Sequence, residues 1–264
     1  MKKENKLAIK IKRLLVRIGA PRWLHRFGPK KYQLKHHVIA LVMMEAFQLS
    51  LRRVEHLLGM IGIKVPSYSA LCKRRKKIPT WIWKSLMAMS AGMEHETVAI
   101  DATGFSRTNP SHHYLVRVYR AGYRKGYAKM SMLFGIDKRK VLALHVRTRP
   151  AHDIRDVKHL VGSYCTMQCF LADKAYDAEW LHEWCFDRNV QTHIPSKKRT
   201  KKGFYRRKQK RNFSEKVYHQ RSLIESGFSA IKRKYGGSVS GKSLSSIRTE
   251  LSCKALAYNL ELKH

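Results

Sequence analysis

Apolar residues recur at helical spacing across residues 34–58: Val38, Leu41, Val42, Phe47, Leu51, Val54, Leu57 and Leu58. Gly59 is the expected stop of that helix. A second, shorter helix is expected to begin at Ser67, a favoured N-cap residue just after Pro66, and to run to Pro79. It ends in a basic cluster that includes Lys73, Arg74 and Arg75. Residues 1–93 thus read as an all-helical region. The helix, glycine-containing turn and basic helix over residues 51–77 admit two meanings. One is a helix-turn-helix seated on DNA, with Lys73, Arg74 and Arg75 as contacts. The other is a helical cap whose basic end is merely solvated.

From Glu96 the pattern changes to short apolar runs. TVAID (97–101) is a strand ending in an acid, and KMSMLFGI (129–136) and VLALHVRT (141–148) form a hairpin across the polar turn DKRK. A short helix follows, with Asp153 as its N-cap. QCFLAD (168–173) is a further strand ending in an acid. Asp177–Arg188 reads as a helix, VQTHIP (190–195) as a strand stopped by Pro195, and Ser214–Lys234 as one long helix. The order predicts an α/β fold, a mixed sheet flanked by helices over residues 94–264, preceded by the helical region.

Charge narrows the function. Lys and Arg total 55 against 18 Asp and Glu, a formal net charge of +37 in 264 residues. Such an excess repels itself in a compact fold and calls for a polyanionic partner. Nucleic acid fits best, because each neutralised phosphate releases counterions. An anionic membrane fits less well, since the basic residues are spread along the whole chain. No apolar run approaches the roughly 18 residues a membrane span needs, and Met1–Lys12 is basic without a signal-peptide core. Cys72, Cys165, Cys169, Cys185 and Cys253 are odd in number and irregularly spaced, so buried reduced thiols are expected in preference to a zinc site. The expected location is the reducing cytoplasm, in association with the nucleoid.

The densest basic run is Lys197–Arg211, with ten Lys or Arg and no acid in fifteen residues. It reads as a loop over about 196–213, solvated when free and ordered by phosphates when bound. Lys197, Lys198, Arg199, Arg206 and Arg207 are its candidate contacts, with Phe204 and Tyr205 available to stack.

Candidate chemistry lies just beyond that run. Tyr218, Arg221, Glu225 and Lys232 stand at offsets of 0, 3, 7 and 14 residues. At about 100° per residue they share roughly 60° of one helix face. Ile224, Phe228, Ile231 and Tyr235 occupy the adjacent arc and are expected to bury against the sheet. An acid bordering the core could meet the strand-terminal acids Asp101 and Asp173, since ligands gather at the carboxyl ends of α/β strands. Three carboxylates repel one another unless cations neutralise them. Hard oxygen ligands favour Mg²⁺ or Mn²⁺, and a pair of such ions is the equipment of phosphodiester chemistry.

These residues carry a resemblance. Tyr218-x2-Arg221-x3-Glu225-x6-Lys232 is similar to the signature of prokaryotic insertion-sequence transposases of the DDE group, whose catalytic domain is ribonuclease-H-like. AIDATGFS, containing Asp101, resembles that family's first strand motif. LADKAYD, containing Asp173, resembles its second, with Ala175 where glycine is usual. ALAYNL resembles the closing helix. The resemblance implies that Asp101, Asp173 and Glu225 hold two Mg²⁺ or Mn²⁺ ions. It also implies that Tyr218, Arg221 and Lys232 contact phosphates near the scissile bond. The implied partner is double-stranded DNA, both terminal inverted repeats and target. Cutting two ends implies at least a homodimer. Water would hydrolyse a strand at each end, and the freed 3′-hydroxyl would attack the target.

Other residues weigh less. Asp177 reads as a helix cap, not a fourth ligand, and Asp153 and Asp156 as structural or solvated. His112 and His113 lie in an expected polar loop, and His193 is an expected packing histidine. Trp81, Trp83, Trp180 and Trp184 are expected to pack. The alternative function is a transposase-derived DNA-binding protein that has lost catalysis. A nuclease of the same fold that cuts without joining is a further one, whereas an RNA-binding protein would explain the charge but not the acids.

Overall fold

The computed structural model describes residues 2–25, 27, 30–108, 112–119, 126–162, 166–196 and 202–261. In chain order its helices are α1 (Lys2–Arg17), α2 (Leu34–Ala46), α3 (Leu51–Met60), α4 (Tyr68–Arg75), α5 (Thr80–Ala91), α6 (His112–Tyr119), α7 (Ile154–Leu160), α8 (Glu179–Phe186), α9 (Phe204–Arg211), α10 (Glu215–His219), α11 (Ser222–Tyr235) and α12 (Leu244–Glu261). The strands are β1 (Glu94–Arg107), β2 (Tyr127–Gly135), β3 (Lys140–Arg147), β4 (Thr166–Ala172), β5 (Gln191–His193) and β6 (Ser238–Val239). They fall into two compact units, each built from separated stretches: Met1–Ser90 with Phe105–Ala128 and Ile231–His264, and Ala91–Gly104 with Lys129–Ala230.

In the first unit α12 packs on α2, and both are buried nearly all round. Burial on every side forces their polar residues to pair internally. Lys254 meets Glu45 at 3.4 Å, and Arg75 meets Glu250 at 3.2 Å and the Ser246 hydroxyl at 2.5 Å. Arg75 is therefore not a DNA contact; it is buried and spent on Glu250. The helix expected over 34–58 is two helices. Gln48 takes a left-handed φ of 52°, and the Ser50 hydroxyl accepts from Arg53 N–H at 3.2 Å to start α3 afresh. Gly59 lies inside α3, and the chain turns away at Gly62, whose φ of 72° suits glycine. Ser67 caps α4 as expected, accepting from Ala70 N–H at 3.4 Å. Trp83 is buried, but Trp81 and Cys72 are exposed, against expectation, because each points away from the packed side of its helix. His112 and His113 belong to α6, not to a loop.

The second unit holds the mixed sheet. Its strand order is β3-β2-β1-β4-β5, with β2 and β3 antiparallel and β1, β4 and β5 parallel. Alternation along each strand divides its side chains between two faces. Val98, Ile100, Leu133, Leu142, Phe170 and Ala172 face one way, against Val157 and Leu160 of α7 and Leu181 and Cys185 of α8. Trp180 and Trp184 cover the edge of that core. The opposite face receives α11, where Gly227 lies so close to Phe134 that a Cβ there would come within 3.0 Å of the ring. Ile224 and Phe228 bury as their spacing predicts. The sheet flanked by helices is thus the α/β arrangement that the order of elements led us to expect.

Three local expectations fail here for identifiable reasons. Asp153 sits at the N-cap position of α7, but its carboxylate takes Arg147 at 2.6 Å and Lys129 at 2.5 Å instead of helix N–H groups. Asp177 is no cap either; it is buried, with Arg206 at 2.6 Å and His182 at 3.1 Å. The long helix over 214–234 is broken at Gln220–Arg221, where N–H groups bond three residues back: Arg221 to Tyr218 and Ile224 to Arg221.

Candidate active site

The site grows from strand register. β1 and β4 run parallel with Ile100 opposite Ala172, and the next residues in the chain are Asp101, inside β1, and Asp173, just past the end of β4. Neighbouring strands lie about 4.8 Å apart, so the two acids stand side by side where β4 ends. Ile100 and Ala172 belong to the core on the α7–α8 face. Alternation therefore sends Asp101 and Asp173 toward the face that carries α11. Glu225 stands in the first turn of α11.

Arg221 joins two of the three acids. Its Nη1 donates to Asp101 Oδ2 at 2.9 Å and its Nη2 to Glu225 Oε1 at 2.8 Å. The other Asp101 oxygen accepts the Ala102 N–H at 2.8 Å, so both of its oxygens are engaged. Asp173 is exposed and accepts the Lys174 N–H at 2.5 Å, capping the 3₁₀ turn Lys174–Tyr176. Burial raises the Asp101 carboxyl above its ordinary value, and the charges of Glu225 and Asp173 push the same way; the Ala102 N–H and Arg221 oppose them. Burial works to lower Arg221, yet Asp101, Tyr218 and Glu225 together raise it. Among the described residues, no three His, Cys, Asp or Glu side chains are grouped to hold a metal ion.

The other sequence candidates divide clearly. Tyr218 is half-buried, with its ring 5.7 Å from Phe213. Lys232 lies two turns beyond Glu225 on α11, its ammonium 5.3 Å from the Phe105 ring centroid, and burial lowers its pKa. Arg207 and Lys73 are exposed, and Arg74 is half-buried. Lys197, Lys198, Arg199 and Cys165 lie outside the described residues. Arg206 is a correction. The later part of the basic run forms α9, whose inward residues Arg206 and Gln209 are buried. Arg206 ion-pairs with Asp177, and Gln209 bonds Thr192 N–H and Val190 C=O, each at 3.1 Å, along the free edge of β5. His193, buried as expected, accepts the Ser214 N–H at 3.0 Å. The chain Arg206–Asp177–His182–Thr192, closed by a 2.8 Å bond between His182 and Thr192, was not foreseen. Its one sequence signal is the lone acid Asp177 following a strand–turn motif.

Acids side by side on neighbouring parallel strands of a mixed sheet, with an arginine among them, define the class: an α/β protein with an acidic site. The family described as the transposase DDE domain matches residues 92–260, most of the chain, and the protein belongs to that family. Comparison with curated proteins gives no match. Among solved structures, the chain is similar to the crystal structure of a pre-cleavage Mos1 transpososome, at 10% identity over 95% of this chain and 84% of that one. The TM-score is 0.26. No described helix is long and apolar enough to cross a membrane.

Proposed function

We propose that the protein is a transposase that cuts DNA at the ends of an insertion sequence and joins them to target DNA. The observation that carries this reading is the parallel register that sets Asp101 of β1 beside Asp173 at the end of β4, with Glu225 linked to Asp101 through Arg221. The donor set suits hard divalent cations, Mg²⁺ or Mn²⁺. Asp101 is already burdened by burial and by two neighbouring acids, and a cation relieves that burden. Asp101, Asp173 and Glu225 would hold two ions, which when bound supply an activated attacking oxygen and neutralise the leaving one.

The chain's own side chains do the rest. Arg221 offers a planar fork that matches two phosphate oxygens. The Tyr218 hydroxyl and the Lys232 ammonium are further phosphate donors of the same signature. Arg207, Lys73 and Arg74 are available to the DNA backbone, and residues 1–93, with the pair α3–α4, would supply end recognition. Lys197, Lys198 and Arg199, which lie outside the described residues, are further candidate contacts from the basic run. A net charge of +37 is spent on duplex DNA, both element ends and target, in an assembly of at least two copies.

The test incubates the full chain with duplexes carrying the inverted repeats that flank its gene, plus Mg²⁺ and a supercoiled target. The reading expects nicks at the repeat ends that leave 3′-hydroxyls, and joined products. Binding without any cut, under Mg²⁺ and Mn²⁺ alike, would leave the protein a DNA-binding relative only.

A further inference from the structure

Arg221 occupies a position that a phosphate-binding residue does not need. Its guanidinium is not held out toward solvent. It is clamped between Asp101 and Glu225 at 2.9 and 2.8 Å, with a side chain only 20% exposed. The oxygens it holds are ones that a metal ion would have to claim. Asp101 Oδ2 and Glu225 Oε1 are engaged by Arg221, and Asp101 Oδ1 is engaged by the Ala102 N–H. One cation already neutralises the acids, so a second must displace it or share their charge.

The backbone beneath Arg221 is a break between two helices. Residues 220 and 221 belong to neither α10 nor α11, and the bonds there run three residues back, not four. A short non-helical link lets the side chain re-aim without unwinding α11, whose buried Ile224 and Phe228 stay fixed. The guanidinium geometry that fits two carboxylates also fits two phosphate oxygens.

We propose that Arg221 is a gate on metal binding: in the DNA-free protein it stands in for the metal between Asp101 and Glu225, and it yields them when it takes a DNA phosphate. This rests on the metal-dependent reading above and deepens it. Binding of phosphate at Arg221 and of metal at the acids then strengthen each other by one common factor, because linkage is reciprocal. The device keeps the site poorly loaded until DNA arrives, so a protein that must not cut at random carries its metal only on its substrate.

The test measures Mn²⁺ binding by electron paramagnetic resonance on the full chain without DNA, comparing wild type, Arg221→Ala, Arg221→Lys and Asp101→Asn in the wild-type and Arg221→Ala backgrounds. Only binding lost with Asp101→Asn is counted. Arg221→Ala should bind Mn²⁺ about tenfold more tightly than wild type, within the usual range of coupling between linked sites. Arg221→Lys keeps the charge but loses the fork, and should lie between them. Adding a short duplex should tighten Asp101-dependent Mn²⁺ binding in wild type and leave Arg221→Ala nearly unchanged. Equal or weaker binding in Arg221→Ala, or a Lys variant indistinguishable from wild type, overturns the gate. Circular dichroism of each variant separates either result from misfolding. If no variant shows Asp101-dependent Mn²⁺ binding with or without DNA, the metal reading itself falls, and the gate with it. Asp101-dependent binding that ignores Arg221 sinks the gate alone.

Discussion

Replacing Arg206 with alanine should destabilise the second unit in a pH-dependent way. Arg206 Nε donates to Asp177 at 2.6 Å, and the Asp177 side chain is 0% exposed. At an effective dielectric of about 20, such a pair attracts by roughly 4 kcal/mol. Truncating one partner leaves a buried carboxylate without its charge, which costs about 3–5 kcal/mol. Asp177 keeps a second partner, His182, and that partner decides the pH dependence. Burial lowers His182 below its ordinary value of 6.5, Asp177 raises it and Arg206 lowers it. In wild type the unfolded chain protonates first as pH falls, so His182 contributes stability that is complete above pH 6.5 and lost below it. Without Arg206 the imidazole rises and is protonated against Asp177 in the folded state. The variant's deficit should therefore be about 3 kcal/mol at pH 8 and smaller by roughly 1 kcal/mol at pH 5.5. Urea unfolding followed by circular dichroism at the two pH values reads both numbers. A deficit below about 1 kcal/mol, or one that does not shrink on acidification, would refute the buried chain as described.

Further expectations concern other parts of the molecule. Gly227→Ala should cost about 1–3 kcal/mol, because the added methyl meets the Phe134 ring, and Phe134→Leu in the same chain should recover most of it in thermal melts. Glu45 is pushed up to about 7, chiefly by burial and then by Glu250, so its folded form holds a proton the unfolded form has lost. Its contribution is full below pH 4.5 and disappears as pH rises through about 7; Glu45→Gln should flatten the stability profile across that window. Arg207→Ala should lower the salt slope of DNA binding by about one, whereas a slope unchanged in this exposed residue's absence would remove α9 from the DNA surface.

Where the structure agrees with the sequence, the determining contacts are local. Ile224, Phe228, Ile231 and Tyr235 are all buried, at spacings of 4, 3 and 4 residues along one side of α11. QCFLAD ends in an acid because β4 stops at Ala172, where a charge must leave the core, whereas TVAID does not end at its acid: β1 runs on past Asp101 to Arg107. The misses come from choices that neighbouring residues do not encode. Neither Gln48 nor Gln220 is a helix breaker, so the interruptions at 47–50 and 220–221 left no mark in the periodicity. In a basic run every arginine looks alike, and only a distant acid shows which is buried: Asp177 for Arg206 and Glu250 for Arg75. Arg221 was legible as a cation on the right face, but its grip on two acids depends on the turn that re-aims it.

The most direct test of the central claim compares Mg²⁺-dependent nicking of element-end DNA by wild type, Asp101→Ala, Asp173→Ala and Glu225→Ala, with end binding measured on the same preparations. The account predicts that each substitution abolishes nicking while binding stays close to wild type. Nicking that persists in any one of the three would contradict the assignment of that acid to the site.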